Sequence, residues 1–369
     1  MHSIIYDHQI FCMQQYGGVS RYFCELAARV HCAPHFRARI VAPVHFNSYL
    51  PTCPVPQAAL YLRMRIARVG RLYGAVSALL SPALTWSSSP SLIHRTYYAP
   101  HATRTDIPVV LTVFDMIHEL FPDSFSANDP VRRNKRLCLE RADHIVCISE
   151  CTASDLVRLF GIPRKKISVT YLGYSDIFAA PPTANETSPH AHPYLLFVGQ
   201  RSGYKNFDMA LKAYASSNRL TEEFDFVAFG GPPLDAGERA LVASLRLRPG
   251  SVSRLAGSDS DLACAYRHAR ALVYPSQYEG FGIPPLEAMS SGCVVACSNA
   301  SAIPAVVGAA ASLFDPKDID SVRHALEDVC LNDSNRARLV AAGRARVRNF
   351  SWDRCASDTL GAYRLALSA

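Results

Sequence analysis

Short apolar runs rich in β-branched residues alternate with segments of helical periodicity along the whole chain. This alternation indicates βαβ units, in which a helix follows each strand and the strands pair in parallel. Helical patterns cover, for example, 19–30 and 132–142. The fold class is therefore α/β. The predicted strands are 3–7, 38–42, 109–114, 144–149 and 167–172, and further along 194–199, 224–230, 251–257, 271–276, 293–298 and 311–316.

Residues 178–193 interrupt this alternation with a stretch rich in Pro, Ala, Thr and His that lacks hydrophobic periodicity, as a linker does. The length of 369 residues also suits two domains. We predict two doubly wound, Rossmann-like domains, 1–178 and 194–350, joined by a linker at 179–193 and facing a central cleft. In such sheets, ligands bind at the carboxyl ends of the strands. A terminal helix within 351–369 is expected to pack back toward the N-terminal domain.

The net charge of +7 resides entirely in the first half of the chain. Residues 1–178 contain 19 Lys and Arg against 12 Asp and Glu, whereas residues 179–369 contain 19 of each. Between Leu26 and Thr105 there are nine arginines and no acidic residue. This window is the part of the chain best suited to an anionic partner.

Within this window, 57–80 mixes four arginines with apolar residues and predicts a basic amphipathic helix. Such a helix can lie on an anionic membrane surface, and the alternative is a solvated helix with one core-facing stripe. No basic motif interleaved with aromatic residues occurs, so nucleic acid is not an expected partner. The four arginines are Arg63, Arg65, Arg68 and Arg71.

The twelve cysteines are scattered and form no CxxC pair, which favours reduced, mostly buried thiols over a disulfide framework or a zinc site. The first ten residues lack the basic start and the apolar run of a signal peptide. No apolar stretch reaches the roughly 18 residues that cross a bilayer. We expect a cytoplasmic protein, peripheral on the inner face of the cytoplasmic membrane if the basic helix binds lipid.

The segment 279–287, EGFGIPPLE, follows a predicted strand and combines a glycine-bearing turn with a helix start. Pro285 suits the first position of that helix. Backbone N–H groups at such a turn bind negatively charged or hydroxyl-rich ligands. Glu279 and Glu287 flank the turn, so both can face one pocket, where carboxylates accept hydrogen bonds from sugar hydroxyls.

A second candidate site is 198–215, in which Arg201 and Lys205 follow a predicted strand. They precede a helix that begins near Asn206, a residue favoured as an N-cap. Two cations beside a helix N-terminus suit a diphosphate, whose negative charge grows as the bond to it breaks. Two solvated loop cations are the alternative.

The third candidate is the pair Gly17 and Gly18 in YGGVSR, after the first predicted strand. Paired glycines there permit close approach of the backbone to a ligand at the head of the next helix. This motif is not GxGxxG, and a tight turn is the alternative.

Asp259 and Asp261 form a DxD pattern, a spacing at which two carboxylates can hold a metal ion. They lie directly before the helical run LACAYRHA. Ser and Asp are favoured as cap and first-turn residues at such a position. We therefore interpret the pattern as helix capping and expect no metal requirement.

With these motifs in place, the chain resembles retaining family 4 glycosyltransferases of the GT-B fold. The resemblance covers nearly the whole length, through GGVSRYF, TVFDMIHELFP, ADHIVCISECTASDL, FVGQRSGYKN, EGFGIPPLE and SWDRCA. It is greatest to the branch that builds bacterial surface polysaccharide and lipopolysaccharide, in which mannosyl donors such as GDP-mannose are frequent.

The resemblance implies a role for each candidate residue. Glu279 would contact the donor sugar, Glu287 the ribose, and Arg201 and Lys205 the diphosphate. Asp115 and His118 are the expected catalytic partners of Glu279. The remaining donor-binding residues implied are Gly17, Gly18, Gly280, Phe281, Gly282, Ile283, and, near the base, Arg254 and Leu255.

Two departures from the family pattern matter. Many relatives carry His-Asp where this chain has Phe114-Asp115, and His118 is the nearest imidazole. The usual acid after the proline of a late SxxxxPE stretch is replaced by Ala305, to which no role is assigned.

The sequence thus predicts a retaining glycosyltransferase that moves a sugar, plausibly mannose, from a nucleotide-diphosphate sugar to a saccharide or lipid-linked saccharide. In such enzymes the acceptor attacks from the face that the nucleotide leaves, and a phosphate oxygen takes its proton. The alternatives are a nucleotide-sugar epimerase or phosphorylase on a similar scaffold, and an inactive sugar-nucleotide-binding subunit.

Overall fold

The computed structural model describes residues 1–62, 69–98, 106–201 and 203–368, and of residues 69–71 it describes the backbone alone. The chain divides into two compact units. Unit 1 consists of Met1–Gly173 together with Ser351–Ala369, and unit 2 of Tyr174–Phe350. The terminal helix therefore belongs to unit 1.

The described strands are β1 His2–Tyr6, β2 Phe36–His45, β3 Gln57–Tyr61, β4 Leu92–Arg95, β5 Val109–Val113, β6 His144–Cys147, β7 Ile167–Val169, β8 Tyr194–Val198, β9 Asp225–Phe229, β10 Val252–Leu255, β11 Ala271–Tyr274, β12 Val295–Ser298 and β13 Ser312–Phe314. The described α-helices are α1 Gly18–Cys32, α2 Val69–Trp86, α3 Ile117–Leu120, α4 Val131–Arg141, α5 Glu150–Phe160, α6 Phe207–Ala215, α7 Asn218–Glu223, α8 Ala236–Ser244, α9 Asp259–His268, α10 Ile283–Ser290, α11 Ile303–Val307, α12 Ile319–Leu331, α13 Asp333–Arg346 and α14 Trp352–Leu367. Every predicted strand is present, so the predicted α/β class is confirmed.

Each unit contains one sheet, and all described strand pairs are parallel. The order in unit 1 is β3-β2-β1-β4-β5-β6-β7, and in unit 2 it is β10-β9-β8-β11-β12-β13. Helices cover both faces of a sheet of this type, which explains the continuous apolar runs of its strands. The strand order reverses beside β1 and β4 in unit 1 and beside β8 and β11 in unit 2. A crevice for a ligand opens at the carboxyl ends of the strands at such a reversal.

Two strands were not predicted, β3 and β4. Strand β4 contains His94, a polar residue that is fully buried in a central strand. Strand β3 is an edge strand that pairs with β2 over Gln57–Tyr61. The prediction of one helix over 57–80 is therefore wrong at its start, because the backbone there pairs with a neighbouring strand. Arg63, Arg65 and Arg68 lie outside the described residues.

Helix α2 has an unusual distribution of side chains. Its inner face buries Ser77 and Ser81, and Ser77 Oγ donates to Val44 O at 2.9 Å and accepts from Val44 N at 3.0 Å. Its outer face leaves Leu79 80% exposed and Trp86 57% exposed. We call the outward side chains Leu72, Ala75, Leu79, Pro82 and Trp86 the outer stripe of α2; all are exposed.

The start of unit 2 lies earlier than the sequence suggests. The predicted linker at 179–193 belongs wholly to unit 2. Phe178 is buried and packs edge-on against Tyr266, with ring centroids 5.9 Å apart. Glu186 accepts a hydrogen bond from Arg267 Nε at 2.7 Å. The segment lacks periodicity, yet these two side chains attach it to α9.

A buried polar network ties α14 to the sheet of unit 1. His94 Nδ1 and Tyr363 Oη are 2.6 Å apart, and Tyr363 Oη and Tyr6 Oη are 2.9 Å apart. On its other side, His94 Nε2 lies 2.8 Å from Thr112 Oγ1. The imidazole is fully enclosed, and burial lowers the pKa of His94 to about 3.

We predict that His94 makes unit 1 less stable in acid. Its pKa is near 6.5 in the unfolded chain and about 3 in the folded chain. Between these values the unfolded state binds the extra proton, so stability is lost as the pH falls, by about 1.4 kcal/mol per pH unit. Both tryptophans, Trp86 and Trp352, lie in unit 1. Tryptophan fluorescence during urea unfolding at pH 7.5 and 5.0 therefore measures this unit.

His94→Gln should reduce the slope of the unfolding free energy against pH by about 1.4 kcal/mol per pH unit, the contribution of one proton. The change of an exposed histidine, His192→Gln, should leave the slope unchanged. Equal slopes for the wild type and His94→Gln would contradict the assignment.

Candidate ligand site at the carboxyl ends of the strands

In unit 2, the loops after β8 and β11 bring Lys205 and Glu279 together. Lys205 Nζ donates to Glu279 Oε1 at 2.6 Å, and both side chains are largely but not completely buried. The two loops are also joined through the backbone, because Gln277 N donates to Tyr204 O at 2.8 Å. The ion pair therefore stands at the strand-order reversal of this sheet, where a parallel sheet accommodates ligands.

Aromatic rings and a serine fix this pair. Lys205 Nζ lies 5.3 Å from the ring centroid of Tyr204 and 5.9 Å from that of Tyr274. Burial and the adjacent Glu279 carboxylate raise the pKa of the Tyr274 phenol well above its ordinary value, so it remains protonated. The backbone N–H of Glu279 donates to Ser301 Oγ at 2.8 Å. Ser301 has a φ of 56°, a conformation that costs free energy for a residue other than glycine.

Asn206 occupies the N-cap position of α6, as predicted, but its side chain serves another purpose. It precedes α6, but its side chain makes no capping hydrogen bond and its φ is 61°. Instead, Asn206 Nδ2 donates to Pro275 O at 3.2 Å and to Pro316 O at 2.7 Å. The predicted position is therefore correct, but the side chain does not cap the helix, because its amide connects the loop after β8 to the ends of β11 and β13.

The turn between Glu279 and α10 depends on Gly282, whose φ of 111° is strained for any other residue. Helix α10 starts at Ile283 with Pro284 in its second position, two residues earlier than predicted from Pro285. Because prolines have no N–H, the backbone N–H groups of this turn are those of residues 280–283. Phe281 is buried and packs edge-on against Phe350, with centroids 5.8 Å apart.

Glu287 lies one helical turn further along α10 and is buried. Tyr266 Oη donates to Glu287 Oε2 at 3.2 Å. Burial, and to a smaller extent the nearby Glu287 carboxylate, raises the pKa of the Tyr266 phenol well above its ordinary value. Tyr266 thus holds one carboxylate oxygen in place from α9.

Arg201 differs from Lys205 in how its charge is used. Its side chain is 2% exposed, and Nε donates to Glu238 Oε1 at 2.6 Å. Its two terminal nitrogens donate to Glu238 Oε2, Gly230 O and Pro232 O. Arg254 Nε also donates to Gly230 O, at 3.2 Å, and Leu255 ends β10 beside it. The guanidinium of Arg201 is thereby occupied by acceptors of the protein itself.

In unit 1, Asp115 follows β5 and lies against a buried cation. Lys135 Nζ, from α4, donates to Asp115 O at 3.0 Å and to Glu119 Oε2 at 2.6 Å. Lys135 is fully buried, and the Glu119 side chain is 7% exposed. Among the described residues, Glu119 Oε1 has no hydrogen-bond partner.

His118 stacks on Phe125, with ring centroids 3.9 Å apart, and its Nε2 lies 3.7 Å from Asp129 Oδ2. Burial lowers its pKa, although the carboxylate of Asp115 opposes the shift. Phe114, which replaces the histidine of many relatives, is buried edge-on against Tyr22 with centroids 5.3 Å apart. His118 therefore does not occupy the position of the missing histidine: Phe114 lies in the hydrophobic core, and His118 lies in α3.

The two glycines before α1 have different surroundings. A Cβ on Gly17 would approach Gln14 Oε1 to 2.3 Å. Gln14 Oε1 accepts from Ser20 N at 3.3 Å, so this side chain occupies the helix start. A Cβ on Gly18 would meet no described atom within 4 Å. Space for a neighbouring group is thus present at Gly18.

The helix-capping interpretation of Asp259 and Asp261 is confirmed. Ser258 is the N-cap of α9, and its Oγ accepts from Asp261 N at 3.3 Å. Asp261 Oδ2 accepts from Ser258 N at 2.7 Å, which completes a capping box.

Sequence reasoning missed five residues that shape the two sites: Tyr266, Tyr274, Ser301, Glu119 and Lys135. Tyr274 lies in the predicted strand 271–276 before EGFG, and this position is the signal that could have identified it as a neighbour of the turn. Lys135 lies in a predicted helix among four other cations and gave no sign of burial.

Comparison with known proteins gives matches over most of the chain. The profile "Glycosyltransferase Family 4" matches residues 16–176, and "Glycosyl transferases group 1" matches residues 163–346. O-antigen chain mannosyltransferase B from Escherichia coli is 31% identical over 281 residues, which cover 73% of this chain and 72% of the relative.

Two solved structures share the fold. Sucrose-phosphate synthase from Thermosynechococcus elongatus superposes with a TM-score of 0.78 at 18% identity, covering 100% of both chains. HepE from Anabaena, in complex with UDP-glucose, superposes with a TM-score of 0.73 at 15% identity, also over 100% of both chains. These likenesses confirm the predicted GT-B fold class.

Proposed function

This chain belongs to the family 4 glycosyltransferases, and we propose that it moves a sugar from a nucleoside-diphosphate donor to a saccharide or lipid-linked saccharide with retention of configuration. The donor that we propose is GDP-mannose, because the E. coli relative is an O-antigen chain mannosyltransferase. The product is then part of a surface polysaccharide. Family membership favours sugar transfer over an epimerase, a phosphorylase or an inactive binding subunit.

The observation that carries this proposal is the Lys205–Glu279 ion pair at the strand-order reversal of unit 2. Before the donor binds, each charged group keeps the other in place. On binding, Lys205 and the N–H groups of residues 280–283 face the diphosphate, and Glu279 accepts hydrogen bonds from the sugar hydroxyls. The positive charge then stabilises the leaving nucleotide as the glycosidic bond breaks.

The other donor contacts follow from the same arrangement. We assign Glu287, whose carboxylate accepts a hydrogen bond from Tyr266, to the ribose hydroxyls. Arg254 and Leu255, at the end of β10, are assigned to the base. Arg201 contributes less directly than Lys205, because it would have to give up hydrogen bonds to Glu238 to contact a phosphate.

In unit 1, we assign Gly17 and Gly18 to donor approach, and Asp115 and His118 to the reacting centre. The acceptor hydroxyl attacks from the face that the diphosphate leaves, and a phosphate oxygen receives its proton. No covalent enzyme intermediate forms. The chain supplies orientation and charge, which account for most of the barrier reduction in reactions of this type.

We predict that Glu279→Ala and Lys205→Ala each lower kcat/KM for sugar transfer by roughly 30- to 1,000-fold, the loss of about 2–4 kcal/mol typical of one preorganised charge contact. Initial rates with a panel of nucleotide sugars measure the effect and identify the donor. Lys212→Ala and Glu222→Ala, which change exposed residues of the same unit, are the matched controls. Near-normal turnover by both site variants would exclude this site.

We also propose that transfer needs no metal ion, because Lys205 and backbone N–H groups supply the positive charge at the diphosphate. Activity should therefore persist after dialysis against EDTA. Loss of activity that Mn²⁺ or Mg²⁺ restores would overturn this expectation and would redirect attention to Asp259 and Asp261.

The membrane association is the last part of the proposal. Among the described residues, no helix has both the length and the apolar character that a bilayer crossing requires. The outer stripe of α2 is apolar and exposed, ends in Trp86, and follows the arginines of 63–71 in the sequence. Apolar side chains at the acyl boundary and basic residues at anionic headgroups are the two components of peripheral binding. We place the enzyme on the inner face of the cytoplasmic membrane, near a lipid-linked acceptor.

Flotation with vesicles tests this surface. The wild type should float with phosphatidylglycerol-containing vesicles at low salt and separate from them at high salt. Changing Arg63, Arg65, Arg68 and Arg71 to Gln should abolish flotation, because each contributes about 1 kcal/mol. Leu79→Gln should weaken it, whereas Leu365→Gln, at an equally apolar exposed position of α14, should not. Equal flotation of all variants, or none for the wild type, would contradict the proposal.

A further inference from the structure

A second group of side chains with metal-binding chemistry lies on α9, outside the site described above. Cys264 and His268 are four residues apart and therefore project from the same side of the helix. Glu186, from the segment before β8, faces them. One ligand atom from each of the three residues lies within 4.8 Å of the other two. His268 Nε2 and Glu186 Oε1 are 3.5 Å apart.

We propose that Glu186, Cys264 and His268 bind Zn²⁺, with a water molecule as the fourth ligand. Zinc takes nitrogen and oxygen ligands at about 2.0–2.2 Å in a tetrahedron, which places two such ligands roughly 3.3 Å from one another. The 3.5 Å between His268 Nε2 and Glu186 Oε1 is close to this value. A thiolate, an imidazole and a carboxylate together favour zinc over Mg²⁺ or Ca²⁺, which prefer oxygen ligands alone.

The thiol needs only a local rearrangement. Cys264 Sγ now donates to Thr187 O at 3.5 Å, and the residue is partly exposed. Rotation about its first side-chain torsion redirects the sulfur without moving the helix. As the thiolate binds the metal, its proton passes to solvent.

Arg267 prepares the carboxylate for this role. Its Nε donates to Glu186 Oε1 at 2.7 Å, and its terminal nitrogen donates to Glu186 Oε2. A carboxylate that binds a metal is commonly oriented by such an outer hydrogen bond.

The consequence of zinc binding would be structural. The three ligands connect the segment 180–187 to α9, both within unit 2. None of them contacts Lys205 or Glu279 in the described structure. Zinc should therefore raise the thermal stability of unit 2 without being required for sugar transfer, so this proposal and the metal-independent reaction can fail separately.

Titration of the reduced, EDTA-treated protein with Co²⁺ tests the site, because a cobalt–thiolate bond gives a charge-transfer band in the near ultraviolet. We expect this band in the wild type and its displacement by Zn²⁺. Cys264→Ser should abolish the band, and His268→Ala should weaken Co²⁺ binding at least tenfold. Cys32→Ser removes an exposed thiol elsewhere and should leave both unchanged.

Calorimetry with and without Zn²⁺ provides a second measurement that does not depend on the thiolate band. Zinc should raise the unfolding temperature of the wild type and of Cys32→Ser, but not that of Cys264→Ser. Absence of the band in the wild type, or unchanged Co²⁺ and Zn²⁺ binding by Cys264→Ser and His268→Ala, would overturn the assignment.

Discussion

A parallel strand cannot turn directly back onto its neighbour, so each connection must cross one face of the sheet and return to the starting edge. Both sheets of this protein obey this constraint throughout the described residues. The loops that leave the carboxyl ends of the strands therefore collect at one edge. In unit 2 they bring Lys205 and Glu279 into contact across 74 residues of sequence, and in unit 1 the loop after β5 bears Asp115. The candidate site residues of each unit therefore lie at the carboxyl ends of its strands.

The cationic side chains near these strand ends form ion pairs within the protein, but they differ in how completely they are buried. Removing a charge from water is costly unless a partner and hydrogen bonds compensate for it. Arg201 and Lys135 meet this condition completely, with carboxylates and backbone carbonyls around them. Lys205 has a 20% exposed side chain, so a ligand can compete for its ammonium group. We infer that the fully enclosed cations maintain the shape of the loops, and that the partly exposed one is available for exchange.

Much of this arrangement follows from the sequence, because apolar runs in parallel sheets are continuous and because EGFGIPPLE has the composition of a ligand-binding turn. The parts that could not be predicted depend on tertiary contacts. His94 in β4 is accommodated only because Tyr363 and Thr112, distant in sequence, satisfy its two nitrogens. Asn206 has a positive φ, and its side chain donates to two carbonyls at the ends of other strands. The preference of asparagine for helix caps does not predict these contacts. In the sequence, Lys135 has the pattern of a solvated lysine on a helix, and only its contacts with Asp115 and Glu119 explain its burial.

The outer stripe of α2 also has a consequence for the protein away from any membrane. A contiguous apolar surface in water favours contact between copies of the chain, because association removes that surface from the solvent. Salts such as sulfate strengthen this attraction. Raising the concentration of such a salt should therefore promote self-association of the protein through the outer stripe. Low salt with mild detergent is the medium in which the monomer should be most persistent.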